Sequence, residues 1–100
     1  MFGLVVRFEL HDETSASAFD ALVAATVEQI VASEPGTLIY AVHQVDGASL
    51  SRVFYELYEN REAFDAHENQ AHTRRFLAER EQYLASHRVE FLDLQVGKGV

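Results

Sequence analysis

Leu4, Val6, Phe8 and Leu10 alternate with Val5, Arg7 and Glu9, the period-two pattern of a strand over residues 3–10. A polar stretch rich in capping residues follows, His11-Asp12-Glu13-Thr14-Ser15, and the rhythm then changes. Phe19, Leu22, Val23, Thr26, Ile30 and Val31 recur at three- and four-residue steps, which predicts a helix over 15–33. Asp12 and Glu13 sit where the positive end of its dipole favours acids. Glu34-Pro35-Gly36 stops the helix, because Pro cannot continue it and Gly takes left-handed conformations at little cost. Residues 37–45, TLIYAVHQV, read as a second strand. Asp46-Gly47-Ala48-Ser49 is a turn, and residues 50–59, LSRVFYELYE, pair back as a third strand. Asn60 is placed to cap a helical segment carrying Phe64 and His67. The apolar rhythm fails from Glu68 to His72 and resumes at Phe76, Leu77, Tyr83 and Leu84, with Arg80 between them. A broken helix, or two short ones, is expected there. Residues 88–96, RVEFLDLQV, read as the last strand.

The order β-α-β-β-α-β predicts an α+β ferredoxin-like sandwich: one four-stranded antiparallel sheet with helices on one face. The 100 residues form a single domain, 1–100, with no linker, repeat or low-complexity tract. The other face of the sheet cannot be wholly polar. Whichever parity faces the helices, the second strand leaves Leu38, Tyr40 and Val42, or Ile39, Ala41 and Val45, on the far side. The last strand offers Val89 and Phe91 on one face and Leu92, Leu94 and Val96 on the other. A sheet apolar on both faces needs a second cover, and a copy of the same chain in a two-fold homodimer is the economical one.

Composition narrows the function classes. Apolar residues make up 48% of the chain and charged residues 24%, a globular balance. Net charge is −8, and Lys98 is the only lysine, so no basic face exists to displace counterions from nucleic acid or to meet an anionic membrane. Without cysteine there is no disulfide, thiolate metal site or thiol nucleophile. No basic segment precedes a long apolar run at Met1-Phe2-Gly3-Leu4, so no leader or membrane span is expected and cytoplasmic is the default.

His67 and His72 attract attention first, then His43, Tyr40, Tyr55 and Tyr58, because imidazole titrates near neutrality and can move protons or bind metal. On an unbroken helix, five residues of separation set two side chains about 140° apart, wrong for a shared metal. No metal site is therefore expected. His67 falls three residues after Phe64 and should point inward with it. A solitary histidine there is more often a structural hydrogen-bonding residue than a proton acceptor, and both readings stay open for His67. Phosphate-cradling glycine loops and the serine-hydrolase elbow are absent. Glu56 and Glu59 alternate across a strand, against a shared acid/base pair. Arg7, amid Val5, Val6 and Phe8, must reach solvent, pair with Glu9 or Glu56, or line a wet pocket.

Glu34-Pro35-Gly36, the Tyr-bearing strand after it, the run from Tyr55 through Glu59-Asn60 to Ala63-Phe64-Asp65-Ala66-His67, and Ala71-His72 together resemble the antibiotic-biosynthesis monooxygenase (ABM) family. The resemblance spans nearly the whole chain. It implies a dimeric α/β barrel in which each subunit holds its own pocket between sheet and helices. It implies a cofactor-independent monooxygenase that oxygenates a phenol, quinol or similar aromatic molecule without metal or flavin. His67 and His72 match the two family histidines and become candidate bases or hydrogen-bond partners. Tyr58 matches an aromatic wall of the pocket, Tyr40 a second wall or donor, and Arg7 is placed as anchor for a developing oxyanion. The haem-degrading branch pairs an Asn on the first strand with a Trp on the second helix. Val6-Arg7 on the first strand and the absence of Trp argue against haem degradation here. The rival reading is a non-catalytic ligand-binding or structural dimer of the same fold.

Overall fold

The computed structural model describes all residues, Met1–Val100. Four strands, β1 (Phe2–Leu10), β2 (Thr37–Val45), β3 (Ala48–Tyr58) and β4 (Leu84–Asp93), form one antiparallel sheet in the order β2-β3-β1-β4. Helices α1 (Glu13–Ser33), α2 (Arg61–Glu68) and α3 (Ala71–Glu79) cover one face, and a short 3-10 turn at Arg80–Gln82 leads into β4. This is the ferredoxin-like α+β fold expected from the pattern.

Local chemistry explains the element ends. The Asp12 side chain accepts the Ser15 backbone N–H at 2.7 Å and starts α1. Asn60 does the same for α2 through the Ala63 N–H at 2.8 Å. The expected break falls at Asn69-Gln70, where α2 ends and α3 begins. Asp46-Gly47 closes the β2–β3 hairpin with Gly47 at φ 77°, a backbone angle that favours glycine. Two expectations change. β4 spans Leu84–Asp93 rather than 88–96. It starts earlier because Leu84 pairs with Leu10 across a bulge and is buried as strand core. It ends with the pairing of Asp93 to Phe2, so that Leu94 and Val96 lie beyond the strand. Val31, expected in the buried stripe of α1, is 83% exposed.

The core lies between β1, β3 and the helices. Leu4, Val6, Phe8 and Leu10 of β1 meet Phe19, Leu22 and Val23 of α1, Phe54 and Tyr58 of β3, Phe64 of α2 and Phe76 of α3. Arg52 pins α1 to the sheet by a two-pronged bond to Asp20, with both contacts at 2.9 Å. Helix α1 passes a length-and-apolarity test for a membrane span. Its apolar stripe is nonetheless packed on the sheet.

On the far face, the strand register aligns Val5 with Tyr55 and Glu90, Gly3 with Leu57 and Leu92, and Ala41 with Tyr55. Val5, Ile39, Ala41, Val53 and Tyr55 are half-buried there with no helix above them. Arg7 belongs to this face as well.

Candidate active site

Strand parity places Tyr40, Phe54 and Glu56 under the helices together with Leu4, Val6 and Phe8. Above them α2 contributes Phe64, His67 and Glu68, α3 contributes Thr73, Phe76 and Leu77, and the turn after it contributes Arg80. Between the two layers is a cavity of about 120 Å³, with Val89 and Phe91 of edge strand β4 also on its wall. A cavity of about 150 Å³ holds a benzene ring. This cavity is somewhat smaller, so a single aromatic ring is the most it takes inside, and a larger molecule would project outward. A larger groove of about 650 Å³ runs between α1 and β2, lined by Val23, Val27, Val31, Tyr40 and Val42. That groove is open, and its carboxylates, Asp20 and Glu28, are exposed, so it gathers no buried carboxylate or histidine.

Glu56, Arg80 and Tyr40 on the wall of the smaller cavity, and Tyr58 behind it, are desolvated. Glu56 is 5% exposed. Burial pushes its carboxyl up to about 7, against a bond from the Tyr58 hydroxyl that lowers it, with the charge of Glu68 adding to the rise. The Tyr58 O–H donates to Glu56 Oε1 at 2.6 Å, and its own pKa is driven up by burial and by the Glu56 charge. Arg80 is largely buried, and its Nε has no hydrogen-bond partner. Its guanidinium lies 5.4 Å from the Phe8 ring centre and 5.6 Å from that of Phe76. Burial lowers its pKa, yet a guanidinium keeps its charge. The half-buried Tyr40 phenol is raised by burial and by the charges of Glu56 and Glu34.

A second cluster adjoins the cavity. His67, 4% exposed, places Nδ1 2.7 Å from Glu34 Oε1 and 3.4 Å from Thr73 Oγ1. His72 Nε2 bonds the other carboxylate oxygen of Glu34, and Thr37 Oγ1 donates to Oε1 at 2.7 Å. Burial pushes the Glu34 carboxyl up, but the hydrogen bonds from Thr37, His72 and His67, with the attraction of the His67 ring whenever it is protonated, outweigh it, and the net shift is downward. The 140° estimate does not apply, since the histidines stand on separate helices and converge on one carboxylate. No group of three or more His, Asp or Glu side chains adopts a metal-holding arrangement.

His67 and Tyr40 thus line the cavity. His72 reaches it only through Glu34 and His67. Tyr58 is fully buried behind Glu56 and does not form a wall. Arg7 does not reach the cavity, because it alternates with Val6 and Phe8 and points to the far face. There its Nε bonds Glu9 Oε1 at 2.6 Å. The pairing with Glu9 was one of the three outcomes open to it.

Sequence reasoning missed Glu56, Arg80 and Glu34. The signal for Glu56 was available: it shares parity with Phe54 and Tyr58, so a buried face on β3 carries the carboxylate inward. Arg80 lies four residues after Phe76, on the same side of the helical path. Glu34 was read only as part of a helix stop.

Gly36 serves that stop differently from the expectation. Its φ is not positive; instead a Cβ there would sit 2.8 Å from the Ala63 Cβ of α2. The glycine lets the Glu34 loop lie against the helix that carries His67. Gly36→Ala is expected to cost about 1–3 kcal/mol, the scale of overpacking, read as a lower melting temperature.

The sheet order defines an α+β ferredoxin-like domain, and its internal cavity carries a buried carboxyl and a buried guanidinium. The family model for antibiotic biosynthesis monooxygenases matches residues 1–79, and the chain belongs to that family. No curated protein matches the sequence. Among solved structures it is similar to one from Nitrosomonas europaea whose name proposes an antibiotic biosynthesis monooxygenase. That structure is 21% identical, with TM-score 0.87, over 96% of this chain and 100% of that one. A Caulobacter crescentus structure named in the same way is 21% identical, with TM-score 0.87, over 95% of this chain and 90% of that one. A Bacteroides thetaiotaomicron structure described as a possible oxidoreductase is 17% identical, with TM-score 0.83, over 93% and 96%. At these identities the likeness shows a shared fold.

Proposed function

We propose that the protein is a cofactor-independent monooxygenase acting on a phenolic or quinol-like molecule with one ring inside the cavity. The observation that carries this reading is Glu56, a buried carboxyl at about 7, beside a buried guanidinium whose Nε lacks a partner. Magnitudes favour the pair. Moving a proton from a phenol of pKa about 10 to an ordinary carboxylate of about 4.3 is uphill by nearly 8 kcal/mol. At about 7 the gap falls to about 4 kcal/mol. A phenolate forming against Arg80 narrows it further, because the cation acts in a low-dielectric site.

Triplet oxygen reacts poorly with closed-shell phenols, but a phenolate can donate one electron. The resulting radical pair joins at the free para carbon as a peroxide. Glu56 takes the hydroxyl proton and returns it to the peroxide. His67 is the candidate acceptor of the ring C–H proton as the O–O bond breaks, the carbonyl forms and hydroxide leaves to become water. Phenol plus O₂ gives quinone plus water, so the substrate supplies all the electrons. The protein's tasks are binding, proton transfer and exclusion of water. Tyr40 forms one wall, and Tyr58 holds Glu56. His72 and Arg7 take no direct part.

Oxygen uptake by metal-stripped protein with guaiacol and a panel of other phenols that have a free para carbon tests this. Uptake no faster than buffer across the panel favours the non-catalytic ligand-binding dimer. Tyr58→Phe removes the bond that lowers the Glu56 pKa. The alkaline-rising limb of turnover against pH is then expected to move upward from about 7, whereas an unmoved limb contradicts Glu56 as the base.

The half-buried apolar residues of the far sheet face support the proposal that a second copy covers it. Light scattering is expected to give twice the 11.3 kDa chain mass at micromolar concentration, and the monomer mass would refute it.

A further inference from the structure

The Glu34 cluster has a chemical consequence for His67. A carboxylate accepts hydrogen bonds and donates none when ionised, and the Glu34 pKa is shifted downward. Each partner must then present a hydrogen: Thr37 its hydroxyl, His67 its Nδ1–H and His72 its Nε2–H. Three donors occupy both oxygens of one carboxylate that is almost wholly buried. With Nδ1 so engaged, the only lone pair left on a neutral His67 ring is at Nε2, and the ring is part of the cavity wall.

We propose that Glu34 is a positioning residue that fixes His67 as the Nδ1–H tautomer, making Nε2 its proton-transfer atom, and that His72 and Thr37 act on the site only by holding Glu34. The chemistry is that of a histidine base oriented by a carboxylate, built here from a helix-stop loop and two short helices. It separates the two histidines: one stands at the cavity, the other is a latch one residue removed. The proposal rests on the oxygenase reading only for its effect on turnover; the tautomer is a property of the resting protein.

His67 is surrounded by Glu34, by Tyr40 of β2, Glu56 and Tyr58 of β3, Glu68 of its own helix and Thr73 of α3. His72 is faced by Glu34 and shares a surface depression with Glu28 and Arg75. Of these charges, only Glu34 accepts a hydrogen bond from both imidazoles.

Long-range proton–nitrogen correlation spectra of isotope-labelled protein, recorded well above the ordinary imidazole pKa of about 6.5, read the tautomer directly. The His67 resonances are assigned by their loss in His67→Gln. The expected wild-type spectrum shows His67 protonated at Nδ1 with a free lone pair at Nε2. Protonation at Nε2 alone, or at both nitrogens, would overturn the proposal. In Glu34→Gln the side chain offers one acceptor oxygen to two imidazoles, so the Nε2–H form of His67 should appear. An unchanged His67 pattern in folded Glu34→Gln would equally overturn it. If Glu34→Gln does not fold, His72→Ala with Glu34 intact keeps the test: the same His67 tautomer is expected, and loss of it would show His72 to be more than a latch. With guaiacol as probe, Glu34→Gln should lower turnover at least about tenfold, and His72→Ala by less. Absence of wild-type turnover on every phenol tried would sink the oxygenase reading while the spectra still decide the role of Glu34.

Discussion

Glu56→Gln should reduce oxygen consumption by about 10²- to 10⁴-fold, the range for loss of a general base, while the chain stays folded. Gln keeps the shape of the side chain, and its carbonyl can still accept the Tyr58 hydroxyl that now bonds Glu56 Oε1 at 2.6 Å. What it cannot do is take a proton from a phenol. The wild-type rate should rise with pH through about 7, where Glu56 ionises, and Glu56→Gln should remove that limb. Stability should move in the opposite sense. A carboxyl raised on folding is protonated in both states below its ordinary value of 4.5, so there it costs nothing. Above about 7 the folded state holds a buried charge that the unfolded chain would solvate. Wild-type stability should therefore fall by about 3 kcal/mol from this group as pH rises between 4.5 and about 7. Glu56→Gln should lack that component and should be the more stable protein at pH about 8. Melting temperatures of the two proteins across the same pH range check the sign, since taking their difference cancels the groups they share.

Phe8→Ala should lower stability by about 3–5 kcal/mol, a large part of the 5–15 kcal/mol typical of a domain. Phe8 is 1% exposed and meets Phe19, Phe54 and Phe76 at centroid distances of 5.2, 4.7 and 6.4 Å. It also carries the Arg80 guanidinium. Removing the ring opens space contiguous with the cavity, whose wall it forms. Chemical denaturation gives the loss of stability. Selectivity for ring size gives the second consequence: fused two-ring phenols should gain relative to guaiacol in whatever fraction remains folded. A loss below about 1 kcal/mol would mean that the aromatic cluster is not the keystone of this core.

The parts of this molecule that repeat locally were legible before the structure. Alternation located β2 at its observed bounds, and the failed rhythm at Glu68–His72 marked the break between α2 and α3. Three-residue spacing from Phe64 turned His67 inward. β4 was misplaced at its start because Tyr83-Leu84 after Phe76-Leu77 continues a helical spacing, whereas tertiary pairing with Leu10 makes Leu84 a strand residue. The site was less legible, for a physical reason. Glu34 meets His67 and His72 across 33 and 38 residues of chain, a meeting set by how the helices dock and not by any period. Arg7 stands between Val6 and Phe8, yet parity sends it to the opposite face from both. The cationic place in the cavity is held by Arg80, next to the buried carboxyl that sequence spacing had set aside.

Oxygenation by this chain alone is tested most directly with heavy-oxygen gas. Metal-stripped protein, guaiacol and isotopic O₂ are mixed without flavin or added metal, and the quinone product is trapped at once for mass spectrometry. The expected result is one heavy-oxygen atom in each product molecule, the other in water, at a rate that depends on Glu56. Product that carries no heavy oxygen, or that forms equally fast with Glu56→Gln, would contradict the assignment of this cavity as a cofactor-independent monooxygenase site.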